Sequence, residues 1–176
     1  MYYTGRGDAG SSKLFNSSAR LSKSEQIFAT LGALDELNSY LGLASTYSKK
    51  GSRIYNALKK EQNNLFILQA HFAKAHLIIS PNLISGLEED IKKWEKEVGP
   101  LNNFVVSGGS KLSAILDVSR TIARRAEREA LLLDVKIKIT YNKLAFVYLN
   151  RLSSWLYVLA RLANKKANSQ ERAPQY

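Results

Sequence analysis

Hydrophobic residues recur every three or four positions along most of the chain, a spacing typical of amphipathic α-helices. The pattern predicts a first helix with Ser24 as its N-cap, running to about Thr46, and a second from about Arg53 to Ile79, ended by Pro81. A third, shorter helix is expected from about Leu83 to Val98, where Gly99-Pro100 stops it.

The second half of the chain predicts two longer helices, from near Ser110 to about Leu133 and from about Tyr141 to Lys166. Between them, residues 134–140 alternate apolar residues with lysines, but no partner strand is evident, so we expect an extended connector. These elements predict an all-α, antiparallel five-helix bundle of the ferritin-like type. We expect a single domain over residues 1–176, with the bundle at 24–166.

The two ends of the chain lack an apolar period. Residues 1–23 contain Gly5, Gly7 and Gly10 among polar residues, which predicts a glycine-rich loop or extended arm. Residues 167–176 are polar, and we expect this tail to be frayed.

The chain is basic, with 26 lysines and arginines against 15 acidic residues and a net charge of +11. This charge favours an anionic partner: nucleic acid, nucleotide phosphates or an anionic membrane. Cysteine is absent, which suits the reducing cytoplasm and excludes disulfides and thiolate metal sites. His71 and His76 are spaced too far around a helix for a shared metal, and no apolar run is long enough for a membrane span or export signal.

One predicted helix concentrates charge on a single face. On a helical wheel, one side carries Asp117, Arg120, Arg124, Glu127 and Arg128. Arginine binds carboxylates and phosphates through two parallel hydrogen bonds, so the face favours a polyanionic ligand or a neighbouring subunit. The alternative is a set of exposed ion pairs, each worth about 0 to 1 kcal/mol.

The glycine-rich arm has the composition of a phosphate-binding loop. Its glycines allow backbone amides to approach an anion, its hydroxyls can donate hydrogen bonds, and Asp8 could bind a water of Mg²⁺. The arm lacks the spacing of a P-loop, and a disordered leader is the alternative interpretation. Asn150 lies in an aromatic stripe of the last helix, where it could bind a ligand or a neighbouring backbone group.

Taken in order, these motifs resemble the ATP:corrinoid adenosyltransferases of the propanediol-utilisation type. The matching segments are Thr4-Gly-Arg-Gly-Asp8-Ala-Gly10, Arg20 to Lys23, Asp35-Glu-Leu-Asn38, Ser107 to Arg128, and Tyr148 to Arg161. The resemblance extends over nearly the whole chain. It implies transfer of the 5′-deoxyadenosyl group of ATP to cob(I)alamin, with Mg²⁺ accompanying ATP, in a homotrimer whose sites lie between subunits.

The resemblance also implies roles for individual residues. The ATP-binding residues would be Thr4, Gly5, Arg6, Gly7, Asp8, Gly10, Ser11, Ser12, Lys23, Arg124, Arg125, Ala126, Glu127, Arg128 and Asn150. Arg120 and Arg124 would act in catalysis, Asp35 would pair with Arg120 across the subunit interface, and Phe104 would face the corrin. A reductase or a cobalamin-dependent enzyme is an expected partner, and neither nucleic acid nor a membrane is.

The chain departs from the family pattern at several positions near the expected site. Gly5-Arg6 replaces a basic-threonine pair, Ser107 replaces proline, Asp117 replaces histidine, and Ser154 replaces aspartate. These changes alter the polar network around the site but leave the arginines, Asp8, Lys23 and Asn150 in place. A basic helical protein that binds nucleic acid without catalysis, and a purely structural bundle, are the alternatives.

Overall fold

The computed structural model describes residues 2–15, 17–75, 77–100, 103–137 and 141–175. Within these residues the chain forms two short strands and five helices: β1 (Ser11–Lys13), β2 (Arg20–Ser22), α1 (Gln26–Thr46), α2 (Arg53–Phe72), α3 (Pro81–Val98), α4 (Lys111–Ile137) and α5 (Lys143–Lys166). None of the described helices is long and apolar enough to cross a membrane.

The helices pack as an antiparallel bundle around α4, which contacts both α1 and α5. Side-chain contacts fix the relative direction of α1 and α4. Lys136, near the end of α4, donates to Gln26 at the start of α1, whereas Arg125, a few turns earlier in α4, pairs with Glu36, further along α1. The predicted five-helix bundle is therefore confirmed.

The bundle core contains large aromatic side chains as well as leucines. Trp94 of α3 and Trp155 of α5 are fully buried, with ring centroids 5.2 Å apart. Tyr148 and Phe72 are also fully buried. Complete burial of such large side chains contributes substantially to the stability of the fold.

The boundary between α2 and α3 differs from the prediction. Helix α2 ends at Phe72, not at Ile79, because Lys74 adopts a left-handed backbone with φ of 64° and the Ala75 amide donates to the Ala70 carbonyl. This is the geometry of a helix C-cap. Pro81 does not end α2; it is the first residue of α3, where its missing N–H leaves no helix hydrogen bond unmade.

The predicted extended connector is wrong for residues 134–137, which form the last turn of α4. This turn is fixed by tertiary contacts: Lys136 reaches α1, and the Asp134 carboxylate accepts a hydrogen bond of 3.1 Å from the Tyr141 amide. Residues 138–140 lie outside the described part of the chain, as does His76. Helix α5 begins at Lys143, and Asn142 is its N-cap.

The ends of the chain are more ordered than predicted. The N-cap of α1 is Glu25 and not Ser24, and its side chain makes no capping hydrogen bond. The tail, which we expected to be frayed, is anchored: the Val106 amide donates to the Arg172 carbonyl at 2.8 Å, and Arg161 pairs with Glu171 at 3.1 Å. The tail therefore packs against the loop that precedes α4.

Candidate active site

The N-terminal arm contains a β-hairpin that the sequence did not predict. Strands β1 and β2 pair antiparallel, with Ser11 opposite Ser22 and Lys13 opposite Arg20. Gly5 and Gly10 have φ values of 66° and 75°, a left-handed conformation that favours glycine. The hairpin and its preceding turns enclose a cavity of about 800 Å³, lined by Thr4, Arg6, Gly7, Ser11, Ser12, Lys13, Arg20 and Lys23.

Two basic side chains hold the arm in this shape. Arg20 donates to the carbonyl of Arg6 and, at 2.6 and 2.9 Å, to the carbonyl and hydroxyl of Ser11. Lys23 donates to the Gly7 carbonyl at 2.9 Å. The arm is therefore folded around a cationic cavity, and the interpretation of these residues as a disordered leader is wrong.

Four cationic groups of this cavity lie close to hydroxyls and backbone amides. This set of donors matches the oxygen-rich surface of a polyphosphate. Arg20 lies in a segment that matches the family pattern, but the resemblance implies no role for it. Its contacts depend on β2, which places the guanidinium against Arg6 and Ser11.

Helix α4 presents its arginines to different surroundings. Arg124 and Arg128 are exposed and make no hydrogen bond or ion pair within the described residues. Arg125 instead pairs with Glu36 of α1, and Ala126 is fully buried in the core. Arg124 and Arg128 are therefore available to a ligand, whereas the Arg125 side chain is engaged within the fold.

A second cavity, of about 350 Å³, lies between α3, α4 and α5 and is lined by Ile91, Glu95, Arg120, Arg124, Ser153, Ser154, Tyr157 and Val158. Burial raises the pKa of Tyr157, so its hydroxyl is protonated at neutral pH and can donate a hydrogen bond. The expected aspartate at position 154 is a serine, which leaves this cavity with one carboxylate fewer beside its arginines.

Asn150 and Glu127 contact one another at the surface between α4 and α5. The Asn150 amide donates to a carboxylate oxygen of Glu127 at 3.0 Å. Of the two alternatives left open for Asn150, a ligand or a neighbouring backbone group, the second is not seen among the described residues, where its side chain bonds to a carboxylate. The pair presents a carboxylate and an amide side by side, next to the exposed Arg124 and Arg128.

Phe104 and Asp35, two of the three residues expected outside the ATP site, are both exposed. The Phe104 side chain is 80% exposed on the loop that leads to α4. Asp35 lies on the outer face of α1 and forms no ion pair among the described residues. Within the chain, Arg120 has Asp117 as its acidic neighbour, with Nε and Oδ1 3.7 Å apart.

The described residues contain no group of three or more histidine, aspartate or glutamate side chains that could hold a metal ion. Asp8 is an isolated, exposed carboxylate in the first turn of the arm. A divalent cation at this site would therefore need most of its oxygen ligands from the substrate and from water.

The helical bundle carries two sets of cationic groups, one in the cavity of the arm and one on α4. The sequence profile of the cobalamin adenosyltransferase family matches residues 2–163. The chain therefore belongs to the cobalamin adenosyltransferase family.

Characterised relatives cover nearly all of the chain. A corrinoid adenosyltransferase of Mycobacterium leprae is 35% identical over 173 residues, which are 92% of this chain and 90% of the relative. The human corrinoid adenosyltransferase MMAB is 35% identical over 181 residues, covering 97% of this chain and 71% of the relative.

A solved structure has the same fold. It is a variant of the PduO-type ATP:corrinoid adenosyltransferase from Lactobacillus reuteri, complexed with cobalamin and ATP. It superposes with a TM-score of 0.92 at 27% sequence identity, and the alignment covers 100% of both chains.

Proposed function

We propose that this protein transfers the 5′-deoxyadenosyl group of ATP to cob(I)alamin, producing adenosylcobalamin and triphosphate. The observation that carries the proposal is the cationic cavity of the arm, in a chain that belongs to the cobalamin adenosyltransferase family. Family membership favours this enzyme over the nucleic-acid-binding alternative, which gives no reason for an ordered glycine-rich arm.

The proposed reaction forms one bond and breaks one. The reduced cobalt of the substrate supplies an electron pair to the ribose 5′ carbon, and the bond from that carbon to the triphosphate oxygen breaks, with its electron pair leaving on triphosphate. No proton has to be removed from either substrate. The protein therefore needs to orient the two substrates and stabilise the departing charge, and it needs no catalytic base.

The arm and α4 supply the residues for ATP. The arm offers amides, hydroxyls and positive charge to the phosphates from the cavity-lining residues Thr4, Arg6, Gly7, Ser11, Ser12 and Lys23, and from Gly5 between Thr4 and Arg6. From α4, the run from Arg124 to Arg128 contributes two exposed guanidiniums, and Asn150 adds an amide. Magnesium, held mainly by the phosphate oxygens and a water on Asp8, would offset part of the triphosphate charge.

The corrin is proposed to bind beside Phe104. An exposed phenylalanine on a loop offers an apolar surface to a large macrocycle, and covering it with the corrin removes that surface from water. Arg120, which lines the cavity between α3, α4 and α5, is proposed to act in catalysis. The arm and this loop, closing over the two substrates, would exclude water from the reacting atoms.

The working assembly is proposed to be a homotrimer in which Asp35 of one subunit pairs with Arg120 of the next. The exposure of Asp35 and the long Asp117–Arg120 separation of 3.7 Å support this arrangement, since both groups have capacity for another partner. Sedimentation of the wild type and of Asp35→Ala tests it: the variant should dissociate at a higher protein concentration. We further propose a cytoplasmic location and a reductase partner that supplies the reduced corrinoid.

A visible spectrum of reduced cobalamin under anaerobic conditions tests the reaction directly. With ATP, Mg²⁺ and the protein, the spectrum should convert to that of the adenosyl form; without ATP or without the protein, it should not. Failure to convert with all components present would refute the proposed function.

A further inference from the structure

The loop that carries Phe104 joins α4 through Gly108 and Gly109, whose φ values are 113° and 107°. Glycine adopts such φ values without steric cost, and this pair forms the hinge between the loop and α4. Here buried polar side chains hold it. The Gly108 carbonyl accepts hydrogen bonds from Ser113 at 3.1 Å and from Asn164 at 2.8 Å.

The Gly108 amide is held by Asp117. Carboxylate oxygen Oδ2 of Asp117 accepts a hydrogen bond of 2.8 Å from this amide. Asp117 itself is only 8% exposed, so water competes weakly for the contact. A hydrogen bond between an amide and a buried carboxylate is stronger than one between neutral groups.

The second oxygen of the same carboxylate faces Arg120. Oδ1 of Asp117 lies 3.7 Å from Arg120 Nε, one turn further along α4. That nitrogen is buried and has no hydrogen-bond partner among the described residues. One carboxylate therefore contacts both the hinge of the Phe104 loop and an arginine of the cavity between α3, α4 and α5.

We propose that Asp117 is a positioning residue that fixes the Phe104 loop relative to Arg120, and so sets the geometry of the corrin pocket. This inference rests on the proposed function only for the role of the loop in binding corrin. A carboxylate has two acceptor oxygens, and in Asp117 one faces the Gly108 amide and the other faces Arg120. In this chain, aspartate can therefore serve the hinge and the arginine together.

The experiment compares Asp117→Ala, Asp117→Asn and a control, Asp90→Asn. Asp90 also accepts one hydrogen bond, from the indole of Trp155 at 3.2 Å, but it lies on α3 and does not contact the loop. Two measurements are made on each variant: hydrogen exchange of the Gly108 amide by NMR, which needs no catalysis, and steady-state kinetics, which give kcat and the KM values for corrinoid and for ATP.

Removal of the carboxylate should release the hinge. For Asp117→Ala we expect Gly108 exchange to accelerate and the corrinoid KM to rise, each by about tenfold, with the ATP KM changed by less than about twofold. Asp117→Asn keeps an oxygen for the Gly108 amide but turns an N–H toward Arg120. It should leave exchange near the wild-type rate and lower kcat by about threefold.

The outcomes separate this inference from the proposed function. Unchanged Gly108 exchange in Asp117→Ala, or equal effects of Asp117→Ala and the Asp90→Asn control on the corrinoid KM, would overturn the positioning role. Absence of turnover by the wild type would instead overturn the proposed function and leave the exchange measurement to decide whether Asp117 holds the hinge.

Discussion

The carboxamide of Asn164 occupies the space that a side chain on Gly109 would need. A Cβ atom placed on Gly109 would lie 2.5 Å from the Asn164 oxygen and 2.8 Å from its nitrogen. Asn164 cannot easily turn away, because it accepts from the Ser110 amide at 2.9 Å and donates to the Gly108 carbonyl. The side chain of Asn164 thus fixes the backbone at the start of α4 against the end of α5.

Gly109→Ala should destabilise the protein by about 3 kcal/mol or more, since it adds steric overlap with Asn164 to the strain of a positive φ. Equilibrium denaturation measures this change. Gly51→Ala is the matched control, because Gly51 has a φ of 78° but nothing within 4 Å of a Cβ. The control should lose about 1 to 2 kcal/mol from strain alone. Equal losses in both variants would show that Asn164 yields.

Arg124→Ala should lower adenosyl transfer by about 100-fold, the typical effect of losing a group that stabilises charge in the transition state. The fold should be unaffected, because Arg124 is exposed and has no ion pair within the described residues. Turnover and thermal unfolding are measured together. Arg151→Ala is the control: it breaks a half-exposed pair with Glu88 at 3.0 Å and should change neither quantity appreciably. Near-normal turnover of Arg124→Ala would remove this residue from the site.

The sequence shows which donor groups the arm contains but not how they are arranged. Glycines, hydroxyls and basic residues are visible in composition, but the pairing of Ser11 with Ser22 depends on strands of three residues each, too short to give a periodic pattern. The role of Arg20 depends on that pairing. Its guanidinium reaches Arg6, fourteen positions earlier, only because the hairpin brings the two segments together.

Arg20→Ala and Arg20→Lys should both raise the KM for ATP by about tenfold, because each loses the forked contacts with the carbonyls of Arg6 and Ser11. Steady-state kinetics at saturating corrinoid measures the effect. The lysine variant keeps the positive charge and is the informative comparison. Restoration of the wild-type KM by lysine would mean that Arg20 acts through charge and not by shaping the arm.

At two helix boundaries, contacts between distant residues override the local hydrophobic pattern. The apolar spacing continues past Phe72, yet α2 stops there because the left-handed turn at Lys74 returns the chain toward α3. At the end of α4 the alternating sequence favoured an extended segment, and contacts of Asp134 and Lys136 with neighbouring elements gave a helix instead. Neither outcome is encoded within the few residues involved.

The sequence also gives no sign of a buried polar cluster in the bundle core, because a glutamate such as Glu61 of α2 is ordinarily a surface residue. Its side chain is 1% exposed and accepts hydrogen bonds from the hydroxyl of Tyr148 and, at 2.9 Å, from the amide of Asn64. Both bonds reach the same oxygen, Oε2. The other, Oε1, has no partner among the described residues. Burial raises the pKa of Glu61, since the charged form is poorly solvated.

Glu61→Gln should flatten the dependence of stability on pH. A carboxyl with a raised pKa in the folded state stabilises the fold below its ordinary pKa of 4.5, and this contribution is lost as the pH rises through the raised value. The free energy of unfolding of the wild type should therefore contain a component that falls as the pH rises through the range above 4.5, and glutamine, which cannot ionise, should remove it. Denaturant titrations at several pH values measure the slope.

Glu97→Gln is the control, because Arg53 lowers the pKa of Glu97 and its contribution changes below that range. If the slopes of wild type and Glu61→Gln coincide, Glu61 does not change its ionisation across this range in the folded protein.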